Sequence, residues 1–553
     1  MSKLILDYVY DKEAAHPDRV YLTQPIGNGE TRDYTWSQVV GEARRMAAHL
    51  QSLGLERGDK IAILSKNCAH FFMAELAIWI GGYTTVAIFP TENAATIGYV
   101  LGHSEAKAIF IGKLDPTWPQ QEKGIGDGPK RIAFPLAPKN DAPKWDDLVK
   151  QNKPVAGRPA RQGDDLAMII YTSGSTGQPK GVMHCFENVT RATEGIVKGV
   201  AFGADERALS YLPLAHVFER AYIECASFVA GGHIFFADSL DTFVADLKRA
   251  KPTLFISVPR LWLKFQQGVL KKMPPKKLAN LLKIPILNKI IAKKILTGLG
   301  LEQVRLAGSG SAPIPAELIA WYRRLGLNLL EGYAMTEDFA FSHLSSKEKN
   351  APGYVGSPYE GVHVKLSADS EVLIKSPGRL VGYFKQPELT AEVFTEDGYF
   401  RTGDKGERRS DGLLKLTGRV KELFKTAKGK YVAPAPIENR INEHELVELS
   451  CVSGVGQPAA FALLVLAEDI RNNLSDPATK KRVEDELAPF LKTVNAQLSN
   501  YEQLQMFVIA KEPWTVENGM LTPTLKIKRT PIEAEAKPHL DAWFDNKKPI
   551  IWA

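Results

Sequence analysis

The stretch LAMIIYTSGSTGQPKGV, residues 166–182, joins an apolar strand candidate to a loop of small polar residues. Glycines at 174, 177 and 181 leave room for backbone N–H groups to turn inward, and the hydroxyl side chains and Lys180 add further donors. Such donors suit a polyphosphate, so we predict a nucleotide-phosphate site; an ordinary polar turn is the alternative. The predicted contacts are Thr172, Ser173, Gly174, Ser175, Thr176, Gly177 and Lys180.

The loop is not a Walker A sequence. Pro179 stands where GxxxxGK[ST] has its second glycine, and Gly181 replaces the following Ser or Thr. The prediction of a phosphate site therefore rests on the hydrogen-bond donors of the loop and on the predicted strand that precedes the loop.

The chain before this loop alternates helix and strand signals. Apolar residues recur at helical spacing from Val39 to Leu53, and Lys60–Leu64 then reads as a short buried strand. An apolar helix at Phe71–Ile80 and a β-rich run at Thr84–Phe89 follow. Lys113–Asp165 is dense in Pro, Gly, Lys and Asp, which predicts a loop.

The alternation resumes after the loop and continues to about Leu416, which predicts a large α/β lobe. The remainder, Lys421–Ala553, has its own helix at Lys480–Leu498 and strands at Ala459–Leu466 and Met506–Ala510. It is long enough for a separate, smaller α+β domain.

Composition predicts a soluble intracellular globular protein. With 553 residues, 44% hydrophobic and 24% charged, the chain is neither disordered nor fibrous. Its four cysteines are far apart without a CxxC pair, so neither a disulfide framework nor a zinc site is expected. The N-terminal apolar run Leu4–Leu6 is too short for a signal peptide, and Leu76–Pro90, broken by two glycines, is too short for a membrane span.

Positive charge is concentrated in one window. Residues 247–301 hold thirteen Lys and Arg and no Asp or Glu, so against a net charge of +7 the rest of the chain carries −6. No nucleic-acid-binding motif accompanies the window, which argues against a nucleic-acid partner. Residues 261–299 mix lysines with aliphatic side chains and predict peripheral contact with an anionic membrane. The alternative is a solvated outer face, since Pro274, Pro275 and Pro285 interrupt any long helix.

Seven sequence blocks together resemble the adenylate-forming (ANL) superfamily, which includes acyl-CoA synthetases, luciferases and peptide adenylation domains. The blocks span most of the chain in the expected order: YTSGSTGQPKGV (171–182), YLPLAHVFER (211–220), SGSAP (309–313), EGYAMTE (331–337), YFRTGD (399–404), GRVKE (418–422) and PTLK (523–526). The resemblance implies a large AMP- and acyl-binding domain over 1–418, a hinge at 419–421 and a mobile C-terminal lid over 422–553. It also implies ATP and coenzyme A as substrates and Mg²⁺ as cofactor.

The resemblance assigns roles to individual residues. Lys526 faces the carboxylate and the bridging oxygen, and Glu337 is associated with Mg²⁺, with Thr172 or Thr176 as hydroxyl partner. Asp404 accepts from the ribose hydroxyls, Arg419 adds a ribose or phosphate contact, and His216 positions the acid. The adenine pocket and catalytic loop are implied at Ser311, Ala312, Pro313, Glu331, Gly332, Tyr333 and Thr336.

Some of these residues also have plain structural explanations. A strand of period two places Lys526 and Lys528 on one face and Leu525 and Ile527 on the other, which also fits a solvated basic strand. Asp404 follows Gly403 in an expected turn, where an Asx-turn is the alternative role. A lone histidine such as His216 is often only a core residue.

The C-terminal domain is expected to rotate between two half-reactions. In the family it rotates about a hinge just after Gly-Arg, which here is Lys421, so that the Lys526 segment leaves and residues 424–434 enter. Gly429 would leave room for a pantetheine arm, and Lys428 and Lys430 could meet CoA phosphates. A basic hairpin tip is the alternative.

LPLAHVFER and PTLKIKR resemble the long-chain fatty acyl-CoA synthetases in particular. We therefore expect a long-chain fatty acid as substrate. Three alternatives stay open: a medium-chain or aryl acid CoA ligase, a fatty acyl-AMP ligase that serves a carrier protein, and a non-catalytic nucleotide-dependent lipid-binding module. The sequence leaves the chain length and the choice between monomer and homodimer open, and a cytoplasmic location, peripheral at a membrane, is expected.

Overall fold

The computed structural model describes residues 3–173, 178–427, 429–522 and 524–553. The first part contains α1 (Ile5–Ala15), β1 (Val20–Gly27), β2 (Glu30–Thr35), α2 (Trp36–Ser52), β3 (Lys60–Leu64), α3 (Ala69–Gly81), β4 (Thr84–Ile88), α4 (Ala94–Ser104), β5 (Ala108–Ile111), α5 (Trp118–Gln121), β6 (Lys130–Ala133), α6 (Trp145–Gln151), β7 (Leu166–Ser173), β8 (Pro179–Cys185) and α7 (Phe186–Val200). The middle contains β9 (Arg207–Ser210), α8 (Val217–Glu219), α9 (Ala226–Ala230), β10 (His233–Phe236), α10 (Phe243–Ala250), β11 (Leu254–Ser257), α11 (Pro259–Lys272), α12 (Pro275–Leu281), α13 (Leu287–Leu299), β12 (Leu306–Ser309), α14 (Ala316–Arg324), β13 (Leu329–Tyr333), β14 (His343–Leu344), β15 (Ser357–Pro358), β16 (His363–Leu366), β17 (Glu371–Lys375), β18 (Gly382–Tyr383), α15 (Pro387–Glu392), β19 (Phe400–Arg408) and β20 (Leu414–Arg419).

The last part contains β21 (Phe424–Lys425), β22 (Tyr431–Val432), α16 (Pro434–Ile441), β23 (Val447–Ser453), β24 (Ala460–Leu466), α17 (Glu468–Arg471), α18 (Pro477–Asn495), β25 (Leu504–Ile509), α19 (Arg529–Ala536), α20 (Leu540–Asn546) and β26 (Ile550–Trp552). Short 3-10 turns occur at Glu122–Gly124, Thr336–Asp338 and Lys537–His539, and a π-helical turn at Arg220–Cys225.

A seven-stranded sheet forms the centre of the large lobe, in the order β18-β8-β7-β4-β3-β5-β6. Strands β3 to β7 run parallel, while β8 and β18 add antiparallel pairs at one side. Every residue of β4 is buried, as is every residue of α3 from Ala69 to Ile80. Burial on both faces explains why these segments read as continuous apolar runs.

Three further sheets complete the lobe. Their orders are β11-β12-β13-β14-β15, β2-β1-β10-β9 and β16-β17-β19-β20. Strands β11, β12 and β13 are parallel, so their carboxyl ends meet at one edge. Ligands of open α/β sheets bind outside such edges.

The C-terminal segment has its own core. Its mixed sheet, β23-β24-β25-β26, packs against α16 and α18 on one face and against α19 and α20 on the other. The predicted α/β architecture with a smaller second domain is confirmed. Among the described residues, no helix has both the length and the apolar character needed to cross a bilayer. All four cysteines are buried with free thiols.

The expectation of a loop over Lys113–Asp165 is wrong. The segment contains α5, β6 and α6, and β6 is the edge strand of the central sheet. Only two of the four β6 residues are buried, so the strand lacks the long apolar run that marks its neighbours.

Candidate active site

The predicted phosphate loop joins strands β7 and β8. The two strands pair antiparallel, with Thr172 opposite Lys180. The Thr172 hydroxyl is shielded from solvent and has no hydrogen-bond partner in the described part of the chain. The predictions for Gly174, Ser175, Thr176 and Gly177, including the Thr176 metal contact, lie outside the described residues, as does the Ser173 side chain. The confirmed strand β7 carries Thr172 and its partner β8 carries Lys180, at the same end of the hairpin.

Lys180 forms an ion pair with Glu337 that a tyrosine completes. The Lys180 ammonium lies 3.1 Å from Glu337 Oε1 and donates to the Tyr383 hydroxyl at 2.8 Å. Tyr383 in turn donates to Glu337 Oε1 at 2.8 Å, and Lys180 lies 4.1 Å from the centre of its ring. Burial and the Glu337 carboxylate raise the pKa of Tyr383, so the phenol keeps its proton.

The sequence analysis did not identify Tyr383. The residue lies in the two-residue strand β18, opposite Val182 of β8, about two hundred positions from Lys180 along the chain. No local spacing indicates this contact; the only signal is the pairing of β18 with the strand that follows the phosphate loop.

The donors around Glu337 fit a magnesium ion bound together with phosphates. Mg²⁺ in such sites takes one or two carboxylates and completes its shell with phosphate oxygens and water. Glu337 supplies a carboxylate, and the unpartnered Thr172 hydroxyl supplies a further oxygen on the neighbouring hairpin. The assignment of Glu337 to Mg²⁺ stays a prediction.

Asp404 and Arg419 pair across strands β19 and β20. The two residues are register partners, and Arg419 Nε donates to Asp404 Oδ1 at 2.8 Å. The Tyr333 hydroxyl donates to Asp404 Oδ2 at 2.6 Å. Burial, and then Asp404, raise the pKa of Tyr333. Asp404 is therefore held from both sides with its carboxylate at the edge of the nucleotide site.

The expected turn at Asp404 is wrong, since the residue lies inside strand β19. The preceding Gly403 has φ +72°, which explains why the sequence resembles a turn there. The ribose role of Asp404 stays a prediction.

The predicted adenine pocket lies at the carboxyl ends of β12 and β13. Ser309, the last residue of β12, pairs with Glu331 of β13, so residues 311–313 follow β12 beside residues 331–333 at the end of β13. Ser311 adopts φ +67°, a left-handed conformation that is uncommon for a side-chain-bearing residue. This local strain is typical of ligand-binding segments.

Glu331 is buried and only partly satisfied. Its Oε1 accepts from the Ile314 amide at 3.3 Å, whereas Oε2 has no partner within the described ranges. Burial raises the pKa of Glu331 to about 8. Thr336, which follows Glu331 closely along the chain, is also buried. Its carbonyl lies 2.8 Å from His184 Nε2. Its catalytic role stays a prediction.

His216 caps the short helix α8. Its Nδ1 accepts from the Phe218 amide at 3.2 Å, which leaves the proton of the neutral ring on Nε2. Burial, followed by the charge of Lys526, lowers the pKa of His216 to about 3. At pH 7 the ring is neutral, so it can donate a hydrogen bond from Nε2 but does not carry a charge.

Lys526 of the C-terminal domain is solvent-exposed. The surrounding protein and then Arg419 lower its pKa, while Asp404 and Glu422 oppose that shift. Its charge also contributes to the lowered pKa of His216, so Lys526 is electrostatically coupled to the predicted acid and ribose contacts.

The expected strand at Lys526 is wrong, because the segment forms a tight turn. The Lys526 amide donates to Thr522 Oγ1 at 3.1 Å, and the Thr522 amide donates back to the Lys526 carbonyl at 2.8 Å. Leu525 is 49% exposed with φ +60°, so it does not share a face with the half-buried Ile527. Because Leu525 is left-handed, the chain turns just before Lys526. The Lys526 side chain therefore does not follow the alternation of faces that a strand would impose.

The predicted hinge lies in an exposed turn between β20 and β21. The Val420 amide donates to Gly403 at 2.7 Å and the Glu422 amide to Arg419 at 3.2 Å, and Lys421 between them is exposed. Strands β21 and β22 form the predicted hairpin, where Gly429 has φ +77° and Lys430 is exposed. Lys428 lies outside the described residues. The CoA role of this hairpin stays a prediction.

Surface ion pairs join the domains in this arrangement. Arg260 pairs with Glu448, and Lys271 lies 3.0 Å from Asp469. Exposed pairs of this kind contribute about 1 kcal/mol or less each, so they do not lock the domains together.

Comparison with known families gives a match over most of the chain. Residues 10–385 match the model of the AMP-binding enzyme family, and residues 422–548 match its C-terminal domain. The chain belongs to the AMP-binding enzyme family. A long-chain-fatty-acid–CoA ligase, FadD15 of Mycobacterium bovis, is 28% identical to this family member over 98% of the chain and 96% of its own length. The mouse long-chain-fatty-acid–CoA ligase 5 is 30% identical over 87% and 80%.

Solved structures show the same fold. An anthranilate CoA ligase, AuaEII, superposes on this AMP-binding enzyme with a TM-score of 0.77 at 20% identity, covering 98% of both chains. A carboxylic acid reductase didomain from Segniliparus rugosus, solved with AMP, gives 0.82 at 22% identity over 98% of this chain and 82% of its own. The anthranilate CoA ligase and the carboxylic acid reductase didomain thus share the architecture of this chain.

Replacing Lys421 by proline tests the hinge. Proline fixes φ and restrains the preceding Val420, and among the described residues the Lys421 amide has no acceptor to lose. We expect acid-dependent ATP–pyrophosphate exchange to persist while thioester formation falls by at least about 100-fold, because the domain no longer rotates. Lys421→Ala is the matched control. Equal loss of both activities in the proline variant would contradict the hinge.

Proposed function

We propose that this protein is an AMP-forming long-chain fatty acid–CoA ligase. The observation that carries the proposal is that residues from separate family-like blocks are hydrogen-bonded to one another: Lys180 with Glu337, and Asp404 with Arg419 and Tyr333. Lys526 is electrostatically coupled to Asp404, Arg419 and His216. Lys180 and Glu337 supply a charged pair on the phosphate-loop side. Relatives named long-chain-fatty-acid–CoA ligase, similar over nearly the full chain, support the substrate class.

The first half-reaction joins two anions. A fatty carboxylate oxygen attacks the α-phosphorus of ATP, and pyrophosphate leaves with the electrons of the broken P–O bond. Two unit charges about 4 Å apart repel by about 4 kcal/mol at an effective dielectric constant of about 20. Lys526 offsets this repulsion at the reacting oxygens, and the neutral His216 donates from Nε2 to the carboxylate.

Lys180, which pairs with Glu337, donates to the phosphates of the bound nucleotide. Tyr383 remains a donor to Glu337 and orients that carboxylate. Mg²⁺, held by Glu337 and by the phosphates themselves, would supply positive charge to the polyphosphate. Asp404, fixed by Tyr333 and Arg419, accepts from the ribose hydroxyls.

The second half-reaction transfers the acyl group to CoA. The thiolate attacks the acyl carbonyl carbon, the C–O bond to AMP breaks, and AMP leaves. Lys526 occupies the approach to that carbon, so the C-terminal domain must rotate at Lys421 and present the Gly429–Lys430 hairpin to the CoA arm.

A panel of acids and acceptors separates this function from its alternatives. We expect pyrophosphate release to depend on acids of long chain and free CoA to yield thioester, because the blocks and the relatives are of the long-chain type. The measurement is pyrophosphate release across acyl chain lengths and aryl acids, with free CoA, with a holo-carrier protein, or with neither. Release with benzoate or anthranilate alone favours an aryl acid ligase, and transfer only to the carrier favours an acyl-AMP ligase. No release with any acid would contradict the proposal and favour a binding module.

We also propose that the protein is cytoplasmic and contacts an anionic bilayer through α11, α12 and α13. Nine exposed lysines lie on this surface: Lys264, Lys271, Lys272, Lys276, Lys277, Lys283, Lys289, Lys293 and Lys294. Of these, Lys271 alone has an acidic partner among the described residues. Each lysine near an anionic leaflet contributes about 1 kcal/mol.

Aliphatic side chains project from the same surface. Ile284, Ile286 and Ile290 are 49%, 75% and 57% exposed, and they cluster where α12 leads into α13. Ile286 has φ +68°, an outlier for a β-branched residue that turns the chain outward. Apolar tips ringed by cations complement a negatively charged lipid surface, where a long-chain acid partitions.

Vesicle binding tests this contact independently of catalysis. We expect the protein to sediment with phosphatidylglycerol vesicles at low salt, to bind phosphatidylcholine vesicles far less, and to lose binding when Ile286→Asp and Ile290→Asp are combined. Val455→Asp is a matched control, because Val455 is 60% exposed in the C-terminal domain. Equal binding to both lipids, or equal effects of the variants, would contradict the membrane surface.

A further inference from the structure

A charged cluster lies inside the core directly behind the segment that carries His216. Arg220, which begins the π-helical turn, is 1% exposed, and Glu75 of α3 and Glu224 are fully buried. Arg220 donates to Glu75 Oε2 at 2.7 Å, and its Nε lies 3.2 Å from Glu224 Oε2. Neither acid was among the predicted site residues.

Stability alone does not explain such a cluster. Taking an ion pair out of water costs several kcal/mol per ion, and well-packed apolar residues of similar volume are often as stable or more stable. A retained buried pair therefore points to a requirement for a specific geometry.

The geometry it fixes is that of residues 211–216, which contain neither helix nor strand. Arg220 donates to the Leu214 carbonyl at 3.1 Å. Asn67, buried at the end of the central sheet, donates to the Leu212 carbonyl at 2.7 Å and accepts from the Leu214 amide at 3.3 Å. Two side chains thus hold the carbonyls of both leucines in the LPL sequence that leads into His216.

Glu219 completes the frame from the other end of this segment. Its Oε1 accepts from the Tyr211 amide at 3.0 Å. Burial raises the pKa of Glu219 to about 8 and that of Glu224 well above its usual range. Burial also raises the pKa of Glu75, and the Arg220 charge opposes the rise for both Glu75 and Glu224. Geometry separates the two acids: Glu75 accepts a hydrogen bond from the guanidinium, whereas the Glu224 oxygens have no hydrogen-bond partner among the described residues. Glu75 is therefore the carboxylate that anchors Arg220.

We propose that Arg220, anchored by Glu75, is a positioning residue that holds residues 211–216 so that His216 Nε2 faces the carboxylate of the acid substrate. The inference rests on the proposed function, since it assigns His216 to the acid. Arg220 does not touch the substrate; it acts through the Leu214 carbonyl and the backbone of His216, whose own carbonyl accepts from the Arg220 amide at 3.2 Å.

Glu75→Gln tests the anchor by removing a charge with almost no change in shape. The guanidinium then lacks its counter-charge, so its hold on Leu214 weakens. We expect the KM for the fatty acid to rise, or kcat/KM for the acid to fall, by at least about 10-fold, because a displacement of about 1 Å at the reacting group is costly. The KM for ATP should stay within about twofold, since the nucleotide contacts lie on other strands.

Glu42→Gln is the matched control. Glu42 is a half-buried carboxyl of α2 that accepts from Trp145 Nε1 at 2.9 Å, remote from residues 211–216. Its variant should retain both KM values. A second variant, Glu75→Leu combined with Arg220→Met, removes both charges and keeps the apolar packing; it should fold and bind ATP with wild-type affinity but retain the defect toward the acid.

Three outcomes overturn the inference: unchanged KM and kcat/KM for the acid in Glu75→Gln, equal changes in these values for ATP and for the acid, or full recovery of the acid values in the double variant. Failure of the proposed function is distinct, since the wild-type protein would then release no pyrophosphate with any fatty acid.

Discussion

The repulsion between a carboxylate and a polyphosphate is the constraint on which the arrangement of this protein depends. Cationic groups and hydrogen-bond donors must surround two anions that repel each other. These groups must already be in position when the two anions come together. The chain provides them from separate elements: Lys180 from β8, His216 from the segment before α8, Arg419 from β20 and Lys526 from the C-terminal domain. Lys180, His216 and Arg419 are each held by a neighbour of their own, so this part of the site is in place without the ligand.

Delivery of one cation by a separate domain has a structural consequence. The surface ion pairs Arg260–Glu448 and Lys271–Asp469 are weak enough to break and re-form, whereas each domain keeps an independent apolar core. A lysine that completes one reaction can thus be withdrawn for the next. The exposed turn at Lys421 is short and carries few backbone hydrogen bonds, which suits rotation.

Sequence patterns predicted the framework well where burial dictates composition. Strands β3, β4 and β7 and helices α2 and α3 follow directly from apolar runs and helical spacing. The pattern failed at β6, which is an edge strand with polar residues, and at Asp404, where a left-handed glycine lies inside a strand. It also failed at Lys526, where a left-handed Leu525 replaces the expected strand by a turn.

Sequence patterns did not predict the contacts between residues that lie far apart along the chain. Tyr383 meets Lys180 only through the pairing of β18 with β8. Glu75 is a single acid in an otherwise apolar helix, and its partner Arg220 is 145 positions away. The family-like blocks named the candidate ligand contacts but not the side chains that hold those contacts in place.

The most direct test is the rate of acyl-adenylate formation in the Lys526→Ala variant, measured as acid-dependent ATP–pyrophosphate exchange. Lys528→Ala is the neighbouring control. The account predicts a loss of at least about 100-fold in exchange, with thioester formation from supplied acyl-adenylate and CoA retained and the control unaffected. Undiminished exchange in Lys526→Ala would contradict it.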